Sequence, residues 1–313
     1  MSHNPLVSVI IPTYKRVDFL ERAIKSVLNQ TYRNIEIIVV DDNNPDTEYR
    51  LETSKLMKNY MSLYSNIKYL LLDKNSGGCV ARNTGLKEST GKYVNFLDDD
   101  DMFYPEKIEK QVIKFESSNE DLAVVGCFAN IKDNDGNVKR VEKVEVKGDV
   151  FLKQLAYNVC TTSIALINRE ICIKSGGFIK IPSSQEHLFF IKIFEVNPYY
   201  DYVSEPLIDI IHHDGERVSN NINKPLGAIE LFNYVKTYFN KLDENKIKSI
   251  SIEHYENILR SFLVVKDRKK SIVYLEKIIK ENGFMNKRVL KLSILIFLGI
   301  ENTDKIKKWV SIK

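Results

Sequence analysis

Four consecutive carboxylates, Asp98, Asp99, Asp100 and Asp101, follow a short apolar run of Tyr93, Val94, Phe96 and Leu97. The aromatic and β-branched content of that run predicts a buried strand. Adjacent carboxylates repel one another, and the interior of a helix or strand offsets none of that repulsion. A cation does. Hard divalent ions take carboxylate oxygens, and Mg2+ typically keeps one or two of them while sharing its other positions with substrate phosphates. The plainer reading is a solvated turn in which one aspartate caps a helix over residues 105–115.

The elements that must position this run form a regular series. Residues 6–11 predict a buried strand that Pro12 ends, with 12–16 as a loop. Asp18 is placed to cap a helix whose apolar face is Leu20, Ala23, Ile24, Val27 and Leu28. A second strand over 35–40 ends in Asp41 and Asp42. A helix over 47–63, a strand over 66–72, a glycine loop at 75–78 and a helix over 80–89 follow, and Gly91 separates the last from the Tyr93 strand. Alternating strands and helices with continuous apolar strands imply a parallel sheet covered on both faces. Ligands of open α/β sheets bind outside the carboxyl ends of the strands. Residues 12–16, Asp41 and Asp42, and the acidic run are three such ends, so they define one candidate pocket.

Further on, residues 122–131 and 138–146 flank Asn134-Asp135-Gly136, a hairpin signal. Strands over 160–167 and 206–211, a turn at Gly176-Gly177-Phe178 and a helix over 186–196 complete this part. Beyond Asn223 the pattern is helical, over 226–240, 247–265, 270–282 and 287–298. The expected division is a domain at 1–220 and a helical C-terminal domain at 224–313, with the boundary at 220–225.

The totals agree with a globular chain of one large domain and an appendage: 313 residues, 43% hydrophobic, 28% charged, net charge +4. The charge is uneven. From Lys224 onward there are 19 Lys and Arg against 10 Asp and Glu, a net of +9, which leaves −5 for the rest. A basic tail suits a membrane surface or an anionic partner. Cys79, Cys127, Cys160 and Cys172 show no CxxC spacing and read as reduced thiols of a cytosolic protein. The N-terminal apolar run is only a strand long, and no stretch approaches the ~18 apolar residues of a spanning helix. The basic region lacks aromatics interleaved on a strand platform, which argues against nucleic acid.

Six stretches in order, VSVIIPTYKR (7–16), LNQTYRNIEIIVVDD (28–42), GGCVARNTGL (77–86), GKYVNFLDDDDMFYPEKI (91–108), GGF (176–178) and QEHLFFIKI (185–193), make the chain resemble a family 2 glycosyltransferase of the GT-A fold. The resemblance spans roughly residues 7–219 and leaves the helices beyond Asn223 uncovered. It implies a nucleotide-diphosphate-sugar donor, most often UDP-linked, a divalent metal, Mn2+ or Mg2+, and an acceptor hydroxyl on a glycan or a lipid-linked molecule. On that resemblance Pro12, Thr13 and Tyr14 match the loop that holds base and ribose, and Arg16 a position facing the nucleotide. Asp42 matches the carboxylate that contacts uracil, with Asp41 the more structural of the pair. Asn75 and Gly77 match the glycine loop near the nucleotide. Arg82 matches an arginine beside the diphosphate, where a guanidinium pairs with carboxylate and counters phosphate charge.

Counting back from Pro105, the family's Asp-X-Asp falls on Asp98, Asp99 and Asp100. Asp100 is then the metal ligand, Asp98 or Asp99 faces sugar and ribose, and Asp101 is a helix cap. The usual Glu-Asp pair reads Gln185-Glu186 here. Glu186 takes the place of the general base, one methylene longer, and must reach the acceptor proton. His213 resembles the histidine that completes the metal or diphosphate site, with His212 as the competing register. The resemblance implies a single in-line displacement that inverts the anomeric carbon, in bacterial-type surface glycan synthesis. Two other classes stand beside it. One is a nucleotide-sugar-binding protein without turnover, favoured by the Gln185-Glu186 departure. The other is a nucleotidyltransferase, which would ordinarily carry a glycine-rich phosphate loop where this chain has Pro-Thr-Tyr.

Overall fold

The computed structural model describes residues 4–211, 222–283 and 286–298. The chain divides into two compact units. Described residues of Met1–Gln154, Asn158–Lys180 and Glu186–Asp214 form the first, and those of Leu155–Tyr157, Ile181–Gln185 and Gly215–Lys313 the second.

The first unit opens with β1 (Val7–Thr13), α1 (Val17–Leu28), β2 (Ile35–Asp41), α2 (Glu48–Leu63), β3 (Ile67–Leu71), α3 (Gly78–Glu88) and β4 (Tyr93–Phe96). All seven residues of β2 and all four of β4 are buried, as continuous apolar runs require when helices cover both faces. α1 buries Leu20, Ala23, Ile24 and Val27, one helical stripe. Arg16, not Asp18, occupies its N-cap. Asp18 lies in the first turn, where the helix dipole favours a carboxylate. Thr47 caps α2, its Oγ1 accepting from the Arg50 N–H at 3.3 Å.

Next come β5 (Met102–Phe103), α4 (Lys107–Glu116), β6 (Val124–Lys132), β7 (Val138–Glu142), β8 (Gly148–Asp149), α5 (Phe151–Ala156), β9 (Leu166–Asn168), α6 (Arg169–Lys174), α7 (Gln185–Val196) and β10 (Tyr199–Ile211). The strand order is β3-β2-β1-β4-β9-β6-β10-β5, with β7 on β6 and β8 on β10. β3, β2, β1 and β4 run parallel. β9 is antiparallel to both β4 and β6, so the sheet is mixed beyond its first four strands.

Two local expectations change. Pro12 does not end β1, because the strand runs on to Thr13, with Pro12 opposite Val40 and Thr13 opposite Asp41. Ile10 O accepts from Leu97 N, so the even-numbered residues of β1 face β4. β4 ends at Phe96, level with Ile10, so Pro12 meets no strand that needs its missing N–H. The strand expected over 160–167 is only Leu166–Asn168. The preceding residues are irregular because their polar groups turn toward the acidic run and α7.

In the second unit, α8 (Asn223–Val235) leads through a 3-10 turn (Lys236–Lys241) to α9 (Glu244–Val264), α10 (Arg268–Asn282) and α11 (Lys287–Leu298). Asp243 and Asp267 cap α9 and α10. Ile252, Leu259, Leu263, Ile278, Val289, Leu292, Leu295 and Ile296 form its core. Among the described residues, no helix is long and apolar enough to cross a membrane.

Lys107 carries an amine into the core. Lys107 is fully buried, its Nζ 2.8 Å from Gln111 Oε1 and 4.1 Å from the Phe103 ring centre. Burial lowers its pKa from 10.5 to about 8. The unfolded chain therefore holds this proton between about pH 8 and 10.5 while the fold has lost it, and stability rises with pH across that window. Thermal melts of the parent minus Lys107→Met are expected to show this rise. A pH-independent difference would contradict it.

Candidate active site

The parallel register brings the polar strand ends together. Ile10 lies opposite Phe96 and Thr13 opposite Asp41. Three residues beyond those anchors on β1 and β4 are Thr13 and Asp99, and Thr13 Oγ1 donates to Asp99 Oδ2 at 2.8 Å. Arg16, at the start of α1, places Nη1 3.3 Å from Asp99 Oδ1 and 2.6 Å from Asp100 Oδ2. Burial pushes the Asp99 carboxyl up to about 7, and Asp100 adds to this, while Thr13 and Arg16 pull it down.

Asp42 closes the next strand end. Its N–H donates to Thr13 O at 2.9 Å. Its carboxylate accepts from the Ser76 N–H at 2.7 Å, the Gly77 N–H at 2.9 Å and Asn75 Nδ2 at 3.0 Å. Asp42, Asn75 and Gly77, read separately from sequence, are thus one hydrogen-bonded latch that fixes the loop leading into α3. Asp41 is fully buried against Tyr69 Oη, at 2.5 Å, and Arg50 Nε, at 3.2 Å. That is the structural role expected of it. Tyr14 is exposed, and Lys15 Nζ lies 5.0 Å from its ring centre and 5.6 Å from that of Tyr49. Lys15 takes a left-handed backbone, φ 60°, with its N–H donating to Asn43 Oδ1 at 2.9 Å. Nothing in the sequence marked Lys15, Asn43 or Tyr49.

The third cluster faces the acidic run from α3 and α7. Arg82 Nη2 donates to Asp98 Oδ1 at 2.5 Å, and its guanidinium sits 5.5 Å from the Phe178 ring centre. Phe178 is itself fixed. Asn83 donates to its carbonyl and accepts from its N–H, both at 2.9 Å, and Phe189 stacks on it at 3.9 Å. Gly177 holds φ 69°, and a Cβ there would stand 2.5 Å from Asn83 Oδ1, which explains the glycine before Phe178. Gly78 matters differently. A Cβ on it would come 2.8 Å from Arg82 Nη1, the movable end of a long side chain. Gly78→Ala is expected to hold or raise the melting temperature by a few degrees. It should also turn the guanidinium off Asp98. Melts run beside NMR of the Arg82 guanidinium check both, and an unmoved Arg82 signal contradicts the second.

Glu186 lies in the first turn of α7. Its Oε1 accepts from the Thr162 N–H at 2.9 Å and from Thr162 Oγ1. Burial raises its pKa above the ordinary value, as does Asp98, while Arg82 and the two Thr162 donors lower it. Asp101 is not the helix cap expected of it. α4 starts only at Lys107, with Glu106 at its N-cap. Asp101 turns inward instead, 5% exposed, with its carboxylate bonded to Ser163. Burial raises its pKa strongly, followed by Asp98, and Asp100 and Glu186 add to the effect. His213 and His212 lie outside the described residues.

Five carboxyl groups, Asp98, Asp99, Asp100, Asp101 and Glu186, thus share the site with two guanidiniums, Arg16 and Arg82. The raised pKa values of Asp99, Asp101 and Glu186 register that surplus as well as burial. Hard oxygen donors with excess negative charge fit Mg2+ or Mn2+. Among the described residues no three His, Cys, Asp or Glu side chains form a metal cage. One or two carboxylates are what Mg2+ takes when phosphates supply other ligands.

Comparison with solved structures shows a GT-A fold. Staphylococcus aureus TarS, crystallised as residues 1–349 with UDP-GlcNAc, matches with a TM-score of 0.60 and 17% identity over 88% of this chain and 90% of that one. The mannosyltransferase PcManGT of Pyrobaculum calidifontis, solved with GDP-Man and Mn2+, matches with a TM-score of 0.55 and 14% identity over 94% and 85%. The chain belongs to glycosyl transferase family 2, whose model matches residues 8–176. An uncharacterized glycosyltransferase of Haemophilus influenzae is 31% identical over 79% of this chain and 92% of its own length. Bacillus subtilis TuaG, a glycosyltransferase named for teichuronic acid biosynthesis, is 41% identical over 35% of this chain and 41% of its own. The chain spans only 23% and 33% of two Rickettsia relatives, from R. felis and R. conorii.

Proposed function

We propose that the chain moves a sugar, with inversion, from a nucleoside-diphosphate donor to an acceptor hydroxyl, in the synthesis of a bacterial-type surface glycan. The observation that carries this is the convergence of Glu186, Arg82 and the acidic run on one site. UDP is the favoured nucleotide, because TarS was solved with UDP-GlcNAc, and a surface glycan is favoured because TuaG is named for teichuronic acid biosynthesis. Pro12, Thr13, Tyr14 and the latch of Asp42, Asn75 and Gly77 would form the nucleotide end. Asp98 and Asp99 would lie toward sugar and ribose. Arg16 and Arg82 would counter the diphosphate charge. Glu186 would take the acceptor proton as the new C–O bond forms, and the nucleoside diphosphate leaves with the old bond's electrons. Asp100 would hold Mn2+ or Mg2+, which when bound offsets charge on the departing diphosphate.

The proposed division of labour puts donor chemistry at 1–220, with the helices of 224–313 serving the acceptor side. α11 leaves Leu290, Ile294, Phe297 and Leu298 exposed at i, i+4, i+7 and i+8, and Lys287 and Lys291 are exposed on the same face. This supports a peripheral contact with an anionic, cytoplasmic-side lipid surface and a lipid-linked acceptor. Phe297→Ser is expected to weaken co-sedimentation with phosphatidylglycerol vesicles several-fold, and unaltered partitioning would contradict it. The function itself is tested by nucleotide release from a panel of UDP- and GDP-sugars with Mn2+ or Mg2+, since slow donor hydrolysis needs no known acceptor. Binding of UDP with no release from any donor would mark a binding protein instead.

A further inference from the structure

The four residues Thr162, Ser163, Ile164 and Ala165 belong to no strand or helix, yet through Thr162 and Ser163 they bond Glu186, Asp98 and Asp101. Thr162 gives Glu186 Oε1 two donors, its N–H at 2.9 Å and its hydroxyl. The Ser163 hydroxyl accepts from the Asp98 N–H at 3.4 Å and bonds the Asp101 carboxylate. The segment is anchored from behind. Asn95 Nδ2, on β4, donates to Ala165 O at 2.7 Å and lies 3.5 Å from Ser163 O. Gln111 Nε2, on α4, donates to Ile164 O at 2.9 Å and to Val125 O at 2.7 Å, while Lys107 Nζ holds its other end at 2.8 Å. Thr162, Asn95 and Gln111 are fully buried and Ser163 nearly so. Buried polar groups bonded in this way favour one arrangement.

We propose that this segment sets the separation between the acidic run and the base, with Thr162 the positioning residue for Glu186. Both Thr162 donors go to Oε1, so the carboxylate is held by one oxygen and Oε2 is left to face the acceptor. This also offers a reason why a glutamate serves where the family pattern has an aspartate. The longer arm is tethered at its far end by the Thr162 backbone and hydroxyl, so the extra methylene does not loosen the base. This inference rests on the role of Glu186 proposed above, and its test has one arm that does not.

That arm is a carboxyl 13C NMR titration of the full chain labelled at glutamate, with Glu186 assigned from the signal lost in Glu186→Gln. Thr162→Val keeps the shape of the buried side chain but removes the hydroxyl. It is expected to move the Glu186 titration up by about one pH unit, since one charge-directed donor is lost. Thr162→Ser is expected to restore it. In the second arm, nucleotide release from the best donor of the panel should fall about ten-fold in Thr162→Val at saturating donor, with UDP affinity unchanged and with recovery in Thr162→Ser. An unmoved titration, or a serine variant as impaired as the valine one, overturns the positioning role. A moved and rescued titration in a parent that releases no nucleotide upholds the tether and condemns the glycosyltransfer reading instead.

Discussion

Glu186→Gln is expected to lower nucleotide release by about 10²- to 10⁴-fold, the range that a general base contributes. The amide matches the carboxylate in shape and can still accept from Thr162 N–H, but it takes no proton. Glu186 bonds Thr162, whereas the Asp42 latch proposed for the nucleotide bonds the loop before α3, so UDP affinity should stay within about two-fold, a change too small to explain the lost rate. The pH behaviour has a definite sign. Burial and Asp98 raise the Glu186 pKa above its ordinary 4.5. The base is active only when ionised, so parent activity should fall as pH drops through that raised value. Stability runs the other way. Between 4.5 and the raised value the fold holds a proton that the unfolded chain has released, so this group makes stability fall as pH rises. Glu186→Gln removes that slope, and its melting temperature near neutral pH should equal or exceed the parent's. A variant that releases nucleotide as fast as the parent would remove Glu186 from the mechanism.

Asp100→Ala should be comparably damaging to rate but different in signature. Asp100 is the proposed metal donor, and in the structure its carboxylate pairs with Arg16 at 2.6 Å. Removing it should cut turnover at least about 10²-fold and abolish the tightening of UDP binding by Mn2+. Affinity for UDP in chelator should be unchanged or better, because Arg16 has lost one carboxylate and can turn toward phosphate. Isothermal titration of UDP with Mn2+ and with EDTA separates the two effects. Persistence of the Mn2+ effect in Asp100→Ala would place the metal elsewhere on the run.

Much of this arrangement is legible in the residues. Buried runs at β1, β2 and β4 and the stripe on α1 give a parallel core, and the parallel core forces the strand ends to one edge. Thr13, Asp42 and the aspartates meet for that reason alone. The six motifs add the family and the fold. What stays hidden is long-range polar pairing. Thr162 and Glu186 are 24 residues apart, and Ser163 and Asp98 65 apart. In sequence the CTTSIALI stretch reads as a β-branched strand, because local periodicity does not say that its hydroxyls have carboxylate partners. Asp101 misleads similarly. Four identical residues before a helix suggest a cap, while burial of the last one depends on Ser163 beneath it. The mixed half of the sheet escapes for the same reason, since β9 is only three residues long.

The most direct test of the account is release of nucleoside diphosphate from UDP- and GDP-sugars by the full chain with Mn2+, run beside Glu186→Gln and Asp100→Ala. The account predicts release from at least one donor by the parent, loss of it in chelator, and little in either variant. Equal release by all three proteins, or none by the parent with any donor, would contradict it.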